Sequence, residues 1–417
     1  MKKILKYFKK IEPDKSKSPF LFSVWESFFT FFFVPNDVTS GTGTHIKDKM
    51  DLKRLMTFVV VALIPAYIYG TYNIGVQHFN ALGVYSGFFD AWYLKLFYGL
   101  VKVIPIYAVT MIVGLGWEFF FASKKGKGIE EGFLVTGALI PLIMPPGIPL
   151  WILVIAVSFA VVLGKEVFGG TGMNIWNVAL LTRVFIFFAY PMTISGDEVW
   201  VSGFSKLAEG THPDYSWFET GFLNTIFGWF GGLQFDANQM IVDGFSGATP
   251  LSLAKSGGWD AILSNFSTSD LMWGNLPGSI GETSKVLLLI GSLFIFITGI
   301  ADWRIPFGAI IGTFSLGIIF NLWDASPLMS IPWYYQFHLG GGVLAILFMA
   351  TDPVSAAQTN RGKLVYGILI GLLAMLIRIV NPAYPEGWML AILFMNSFAP
   401  LIDYIIISNH INKRIKK

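Results

Sequence analysis

The sequence predicts an all-α integral membrane protein with about ten transmembrane helices, arranged as a five-plus-five inverted repeat with two broken helices. Two observations support this prediction. Of the 417 residues, 54% are hydrophobic and 13% are charged, and the mean hydropathy is +0.61, whereas a soluble chain of this length needs far more polar surface. In addition, ten apolar segments of roughly membrane-spanning length follow one another along the chain.

These ten segments divide evenly into two groups of five. They are Leu55–Tyr72, Phe97–Phe121, Gly132–Met144, Ile148–Leu163, Asn177–Tyr190, Ser284–Ile300, Phe307–Leu322, Leu339–Ala350, Leu364–Val380 and Gly387–Ile407. An odd number of spans per repeat makes the repeats inverted relative to each other. Prolines interrupt or bound the third segment (Pro141, Pro145, Pro146) and the eighth (Pro353). Because non-helical backbone at membrane depth needs a covering of protein or a cavity, we expect these two segments to be broken helices.

The basic residues of the short loops indicate the orientation of the chain. They are Lys53, Arg54, Lys124, Lys125, Lys127, Arg304, Arg361, Lys363 and the end of the chain. With ten spans all of them fall on one side, so both termini are predicted to be cytoplasmic. The predicted parts are an interfacial N-terminal extension (1–54), a first five-helix repeat (55–190), an external segment (191–283), a second repeat (284–410) and a basic tail (411–417).

The absence of cysteine limits the chemistry of the chain. It excludes structural disulfides, thiolate-bound zinc and iron–sulfur clusters held by this chain. The five histidines show no spacing typical of metal ligands. Any electron carrier in this protein is therefore expected to be organic or to be held by a partner.

The polar stretch Asp243–Ser252 interrupts the membrane-like sequence, and neither a helical nor a strand pattern accounts for it. It predicts an exposed turn in which Gly247 and Ala248 leave the hydroxyl of Thr249 accessible. With Asp243 three residues before Ser246, the spacing resembles the signal at which a flavin transferase attaches FMN through its phosphate to a threonine. The carboxylate can help to hold the metal that accompanies a nucleotide. An ordinary glycine-rich turn is the alternative interpretation.

A second glycine-rich stretch, Lys165–Asn177, lies at the cytoplasmic end of two predicted spans. Gly170 and Gly172 expose backbone N–H groups that can bind an anion or a carbonyl. Asn174 and Asn177 are three residues apart, so on a helix they share a face. Two amides match the donor and acceptor edge of a flavin ring. A tight turn with a helix-capping asparagine remains the alternative.

Several charged residues lie inside the predicted spans or at their edges. They are Lys102, Glu118, Lys165, Glu166, Arg183, Asp302, Asp352, Arg378 and Asp403. A charge near the centre of a span costs roughly 2.5–3.5 kcal/mol on insertion scales, so the deepest should be paired or functional. The carboxylates Glu118, Asp352 and Asp403 are oxygen ligands suited to small cations. Snorkelling or ion pairing is the alternative for Glu118 and Asp403.

At these motifs the chain resembles the B-subunit family of the sodium-translocating NADH:quinone oxidoreductases. The resemblance runs from about Met1 to the C-terminus. It includes Asp51–Arg54, Lys165–Asn174, Ser246–Thr249, Met349–Ala356 and Asn381–Gly387. It implies an architecture like that of the urea and ammonia transporters. It also implies a multi-pass subunit in the bacterial inner membrane.

The resemblance further implies a set of cofactors. Thr249 would carry FMN as a covalent phosphoester on the periplasmic side. Asn174 and Asn177 match positions associated with noncovalent riboflavin toward the cytoplasm. Electrons would enter at the FMN, cross to the riboflavin and reduce ubiquinone or menaquinone, while sodium moves outward.

The resemblance also implies positions for quinone and sodium. Gly114 and Leu115 match a quinone-sensitive pair that is usually Gly-Gly, so Leu115 departs from the family pattern, and helix packing is the alternative role of this pair. Glu131 and Phe133 would lie near the same quinone pocket. Three carboxylates match positions linked to sodium uptake, namely Glu118, Asp352 and Asp403.

The implied partners are the other members of a six-subunit membrane complex, including a periplasmic flavin subunit and an NADH-oxidising subunit. A flavin transferase, Na⁺, quinone and membrane lipid complete the set, and no nucleic acid is expected. Two alternatives remain. The related D subunit of the Rnf complex shares the flavin motif and is coupled to ferredoxin and NAD. A small-solute channel or transporter fits the topology but leaves Asp243–Thr249 unexplained.

Overall fold

The computed structural model describes residues 10–14, 18–32, 52–81, 83, 85–125, 132–194, 199–202, 247–381 and 386–415. All regular secondary structure in these residues is helical. Its α-helices are α1 (Pro19–Phe32), α2 (Leu52–Ala81), α3 (Trp92–Lys125), α4 (Phe133–Leu142), α5 (Leu150–Val161), α6 (Val178–Ala189), α7 (Pro250–Asn265), α8 (Thr268–Trp273), α9 (Lys285–Ile297), α10 (Arg304–Trp323), α11 (Gly342–Leu344), α12 (Asn360–Val380) and α13 (Trp388–Ile415). Asp243, Ser246 and Glu131 lie outside the described residues.

Five of these helices are long and apolar enough to cross a membrane, within the part of the chain that the structure describes: α2 (from Arg54), α3, α10, α12 and α13. The other five predicted segments coincide with the shorter helices α4, α5, α6, α9 and α11. A π-helical turn extends α5 over Val162–Glu166, and another extends α11 over Ala345–Met349. Length and composition therefore support a multi-pass, all-helical membrane protein.

Both segments that were predicted to be broken are short in the structure, and other parts of the chain cover their ends. After α4, the N–H of Gly281 donates to the carbonyl of Leu142 at 2.7 Å, and the N–H of Ile280 donates to that of Met144 at 3.3 Å. At the end of the π-turn after α11, the Asn177 side chain donates to the carbonyl of Met349 at 3.4 Å. The protein thus supplies donors where the broken helices leave carbonyl groups exposed.

Helices pack against each other within each half of the chain and also between the halves. In the first half, α3 packs against α2, α4 and α5, and α5 packs against α6. In the second half, α12 packs between α10 and α13. Contacts between α2 and α9, and between α6 and α13, join the halves. The apolar core that includes Leu63, Ile140, Leu344 and Trp388 extends through both halves.

The polar stretch predicted to lack a helix becomes helical from Pro250, where α7 begins. Thr249 is the residue before the helix, and its Oγ1 accepts the N–H of Ser252 at 3.2 Å. A threonine cap followed by proline is a favourable helix start, a signal that the sequence interpretation overlooked. A second apolar cluster, which includes Ala254, Ile262 and Leu339, fixes α7 and α8 to the body of the protein.

Candidate functional sites

A cavity of about 350 Å³ lies beside the start of α7, and we call it the Thr249 cavity. Helix α6, the beginning of α7, the segment before α9 and the segment before α13 supply its walls. Its polar and charged lining residues are Arg183, Thr249, Ser252, Lys255, Ser279, Glu282, Thr283, Lys285, His338 and Glu386. Ligand pockets typically have about 300–1,000 Å³, so this cavity is large enough for an organic ligand. Thr249 itself is half-buried on the cavity wall rather than fully exposed as predicted.

A buried ion cluster centred on Arg183 forms one wall of this cavity. The guanidinium donates to Glu282 Oε1 at 2.8 Å and to Glu386 Oε2 at 2.9 Å. It also donates to Ser279 Oγ at 3.1 Å and to the carbonyl of Ile143, which follows the broken helix α4. The Ser279 hydroxyl in turn donates to Glu282 Oε2 at 2.6 Å. Removing one member of a buried ion pair leaves the other charge buried without a partner, which is strongly destabilising. These pairs therefore hold the wall of the cavity in place.

Further cations line the same cavity. Lys285, which is 3% exposed, donates from Nζ to the carbonyl of Thr283 at 2.9 Å. Lys255 lies in the second turn of α7 and is exposed. Burial and the nearby Lys285 lower the pKa of His338 below its usual value. Lys255 and Lys285 therefore place positive charge in the cavity that Thr249 also lines.

A second, smaller cavity of about 80 Å³ lies at the N-terminal end of α6, and we call it the Asn177 cavity. Its polar and glycine lining residues are Gly132, Thr136, Lys165, Thr171, Gly172, Asn174, Asn177, Thr351 and Asp352. The structure thus brings together the residues that were predicted for riboflavin and one carboxylate that was predicted for sodium. A water molecule occupies about 30 Å³ in the liquid, so this space suits a cation or a few waters. A flavin ring at this place requires its walls to move.

The two asparagines have different roles in the local structure. Asn177 is the N-cap of α6, and its Oδ1 accepts the N–H groups of Ala179 at 3.0 Å and Leu180 at 3.3 Å. Asn174 lies in the turn before the helix and donates to the carbonyl of Trp176 at 3.0 Å. They do not share a helix face, because only Asn177 adjoins the helix. The capping interpretation of this residue is confirmed.

The preceding turn needs its glycines for conformational reasons. Gly170 and Gly172 have φ angles of +109° and +82°, a region that other residues rarely adopt. Gly172 lines the Asn177 cavity, whereas Gly170 is buried beside it. The glycines therefore allow a tight left-handed turn, but the N–H of Gly170 donates to the carbonyl of Lys165 at 3.1 Å and is not free to bind an anion as predicted.

The three carboxylates predicted for sodium lie in three different environments. Asp352 lines the Asn177 cavity and accepts from Val354 N at 3.2 Å and from Ser355 Oγ at 2.7 Å. Glu118 forms a buried ion pair with Lys165, and Lys165 also lines that cavity. The partner of Glu118 and the carboxylate of Asp352 therefore line the same cavity.

Asp403, the third carboxylate, lies on α13 and ties this helix to the start of α12. Its oxygens accept the N–H of Gln358 at 2.6 Å, the N–H of Thr359 at 3.0 Å and the Thr359 hydroxyl at 2.6 Å. Acceptors at a helix start satisfy its free N–H groups. The geometry gives Asp403 a structural role, and its sodium role stays a prediction.

Two of the four residues predicted for quinone are in direct contact. A Cβ atom at Gly114 would lie 1.8 Å from Cζ of Phe133, so the ring fills the space that this glycine leaves. Phe133 is fully buried, and the half-buried Leu115 packs against the same apolar core. Close ring packing at a glycine matches the packing interpretation of this pair, while the quinone role stays a prediction.

The two cavities lie at opposite ends of α6. Asn177 and Val178 line the smaller one, whereas Arg183 and Phe187 line the larger one. The helical rise between Asn177 and Phe187 is about 15 Å. Helix α9 makes the same connection, with Lys285 at the Thr249 cavity and Ile295 at the Asn177 cavity.

Sequence patterns missed several residues of the Thr249 cavity. Arg183 was noted as an intramembrane charge without a role, and Glu282, Lys285 and Glu386 were not singled out. Arg183 is 99 residues from Glu282 and 203 residues from Glu386. The only available signal was the rule that a deep charge must find a partner.

Comparisons with known proteins agree with the family resemblance. The model of the NQR2, RnfD, RnfE family matches residues 39–412. The chain is 41% identical over 418 residues to the B subunit of the Na(+)-translocating NADH-quinone reductase of Ectopseudomonas mendocina, covering 95% of this chain and 94% of the relative. The protein of the same name from Klebsiella pneumoniae is 40% identical over 425 residues, covering 94% and 93%. That from Chromohalobacter salexigens is 39% identical over 430 residues, covering 98% and 95%.

Proposed function

The chain belongs to the NQR2, RnfD, RnfE family, and we propose that it is the membrane subunit of a sodium-translocating NADH:quinone oxidoreductase that takes part in electron transfer to quinone. Relatives that share 39–41% of its residues over almost the whole chain are named as the B subunit of such a reductase. Its multi-pass helical structure fits a membrane subunit. Membership in a complex with an NADH-oxidising subunit and a periplasmic flavin subunit is part of this proposal.

The observation that carries the proposal is the position of Thr249 on the wall of a cavity of about 350 Å³. We propose that Thr249 Oγ1 is joined to FMN by a phosphoester bond. A phosphate at this residue would lie at the N-terminus of α7, where free N–H groups and the helix dipole favour an anion. Lys255 and Lys285 line the same cavity and add positive charge. A bound flavin supplies the redox chemistry, and the protein supplies its position and electrostatics.

We propose an orientation of the chain from its basic loops. Lys124 and Lys125 end α3, and Lys413 and Arg414 end α13. If these ends are cytoplasmic, as the positive-inside rule indicates, the Asn177 cavity faces the cytoplasm and the Thr249 cavity faces the periplasm. Thr249 would then be accessible to a periplasmic flavin transferase.

The inverted repeat is supported by the pairing of equivalent helices. The first helices of the two halves, α2 and α9, contact each other, and so do the last helices, α6 and α13. The third element of each half is the short, broken one. We propose on this basis that a pseudo-twofold axis relates the two halves and that the chain crosses the membrane ten times.

For sodium we propose the Asn177 cavity. Asp352, Thr351 and Asn177 have side-chain oxygen atoms and, together with Lys165, line a space of about 80 Å³. Hard oxygen ligands suit a small cation. Riboflavin does not fit this cavity in its present shape, so we derive no step through a flavin here. The contact between Gly114 and Phe133 remains the candidate place for quinone.

Covalent attachment is tested by in-gel fluorescence. The full-length chain, co-expressed with a flavin transferase, is expected to fluoresce as a flavoprotein on a denaturing gel. The Thr249→Ala chain should lose this fluorescence, whereas Thr193→Ala, which alters a hydroxyl in a short turn remote from α7 in sequence, should keep it. A fluorescent band in the Thr249→Ala chain would contradict the assignment.

An Rnf-type D subunit is the second candidate, because the matching family model includes RnfD. The names of the relatives favour the NADH-quinone reductase. Quinone reductase activity of the assembled complex separates the two candidates. A small-solute channel predicts no flavin on the chain at all.

A further inference from the structure

The wall of the Thr249 cavity contains two polar atoms without a hydrogen-bond partner among the described residues: Thr283 Oγ1 and Glu386 Oε1. Thr283 is 4% exposed and Glu386 is 8% exposed, and both line the cavity. Buried polar atoms in folded proteins almost always have a partner, because an unmade hydrogen bond is costly. The pair therefore indicates where a bound group supplies the missing hydrogen bonds.

Glu386 is a fixed acceptor because its other oxygen is already bound. Oε2 accepts from Arg183 Nη2 at 2.9 Å, and Arg183 Nη1 is engaged by Glu282 Oε1 at 2.8 Å. The formal charges of Arg183 and Lys285 balance those of Glu282 and Glu386, so the cavity wall has no excess negative charge that would call for a metal ion. What Glu386 Oε1 lacks is an N–H or O–H donor.

Thr283 offers the complementary group. Its hydroxyl can donate to a carbonyl oxygen, and its own carbonyl holds the ammonium of Lys285 at 2.9 Å. The wall thus offers an acceptor, a donor and a buried cation. The pyrimidine edge of a flavin ring has the matching pattern, since its N3–H group lies between two carbonyl groups.

We infer that Glu386 and Thr283 bind the pyrimidine edge of a flavin ring in the Thr249 cavity, with Glu386 accepting from ring N3–H and Thr283 donating to a ring carbonyl. This inference rests on the proposed attachment of FMN to Thr249, whose side chain lines the same cavity. The two residues are positioning residues. Lys285 beside them places positive charge next to the ring edge, where it favours the reduced, anionic ring.

The test compares the affinities of two flavin rings, one with the N3–H group and one without it. The full-length Thr249→Ala chain in detergent is titrated with lumiflavin and with 3-methyllumiflavin, which lacks the N3–H group, and binding is followed by flavin fluorescence. Lumiflavin is expected to bind at least about tenfold more tightly, because a hydrogen bond to a charged acceptor is lost in the methylated ring. Glu386→Gln in the same background should reduce this ratio.

Two further variants separate recognition from folding. Thr283→Val removes the hydroxyl with little change of shape and should weaken the binding of both rings by a similar factor, about fivefold. Thr313→Val is the control, because Thr313 is equally buried but its hydroxyl donates to Ala309 within α10, away from both cavities. The control should leave both affinities unchanged.

Equal affinities for the two rings, or no binding of either by the folded protein, would overturn the inference. An unchanged affinity in Thr283→Val would remove Thr283 from the site. The discrimination between rings does not depend on covalent attachment, so a failure of attachment shows separately, as a wild-type chain without fluorescence on a denaturing gel. In the wild-type protein that carries FMN, Thr283→Val should also shift the flavin absorption spectrum, whereas Thr313→Val should not.

Discussion

The side chain of Asn177 makes hydrogen bonds to two separate parts of the chain. Its Oδ1 caps α6 through Ala179 and Leu180, and its Nδ2 donates to the carbonyl of Met349 after α11. These two helices belong to different halves of the chain. One amide therefore fixes the start of α6 against the broken helix of the second half.

The two functions of this amide can be separated by substitution. Asn177→Ser keeps a capping oxygen and loses the donor to Met349, whereas Asn177→Ala loses both. We expect Asn177→Ala to be less stable than Asn177→Ser by about 0.5–2 kcal/mol, the usual value of an N-cap. Denaturant unfolding in detergent, followed by circular dichroism, measures the difference. Equal stability of the two variants would mean that the cap does not matter here.

At the scale of elements, α10 and α12 show how glycines allow two helices to pack closely. A Cβ at Gly312 would lie 2.2 Å from the carbonyl oxygen of Ile368, and one at Gly371 would lie 2.3 Å from that of Ala309. Gly308 and Gly367 make similar approaches. Each helix thus has two glycines four residues apart that allow the backbones to touch, as small residues do between membrane helices.

Gly371→Ala should separate α10 and α12, because the new Cβ meets backbone that cannot rotate away. We expect a loss of about 1–3 kcal/mol, as for other overpacked sites. Gly116→Ala in α3 is the matched control, since a Cβ there meets nothing within 4 Å. The control should be neutral or stabilising by up to about 1 kcal/mol. The prediction is wrong if thermal unfolding in detergent gives both variants the same midpoint.

Helix ends show what hydropathy can predict. The first segment was predicted to end at Tyr72, but α2 continues to Ala81. The extra turns include Asn73 and His78, which are buried against the rest of the protein. Hydropathy detects the part of a helix that faces lipid, whereas these turns are covered by other protein groups. The short α4 and α11 were found as apolar segments, but their predicted bounds are longer than the helices.

For the whole molecule, the basic loops are the basis of the proposed orientation. The cysteine-free sequence makes this orientation easy to test, because any introduced cysteine is unique in the chain. Lys255 in α7 and Lys413 in α13 are both exposed. They lie on the proposed periplasmic and cytoplasmic sides.

A membrane-impermeant thiol reagent should label Lys255→Cys in cells whose outer membrane has been opened, once the chain is purified by a tag. Lys413→Cys should be labelled only after the inner membrane is also permeabilised, because the positive-inside rule places this end in the cytoplasm. The wild-type chain is the control without a thiol. Labelling of both sites, or of Lys413→Cys alone, before permeabilisation would reverse or refute the orientation.

Only those site residues that lie close together in the sequence could be predicted from it. Thr249 was found because its motif is contiguous, and Asn174 and Asn177 were found because they are three residues apart. The cluster of Arg183 with Glu282 and Glu386 joins positions 99 and 203 residues apart. Neither a periodicity nor a short spacing in the sequence reveals this pairing, because it forms only when the two halves of the chain pack together.

The position of α6 between the two cavities has a consequence for how their separation is maintained. An α-helix converts a number of residues into a length and an angle, at about 1.5 Å and about 100° per residue. Asn177 at one end and Arg183 farther along are both anchored to distant parts of the chain. The number of residues in α6 therefore sets the distance between the two sites. A single inserted residue would change this distance and the direction in which the side chains of the two sites point, even with every lining side chain retained.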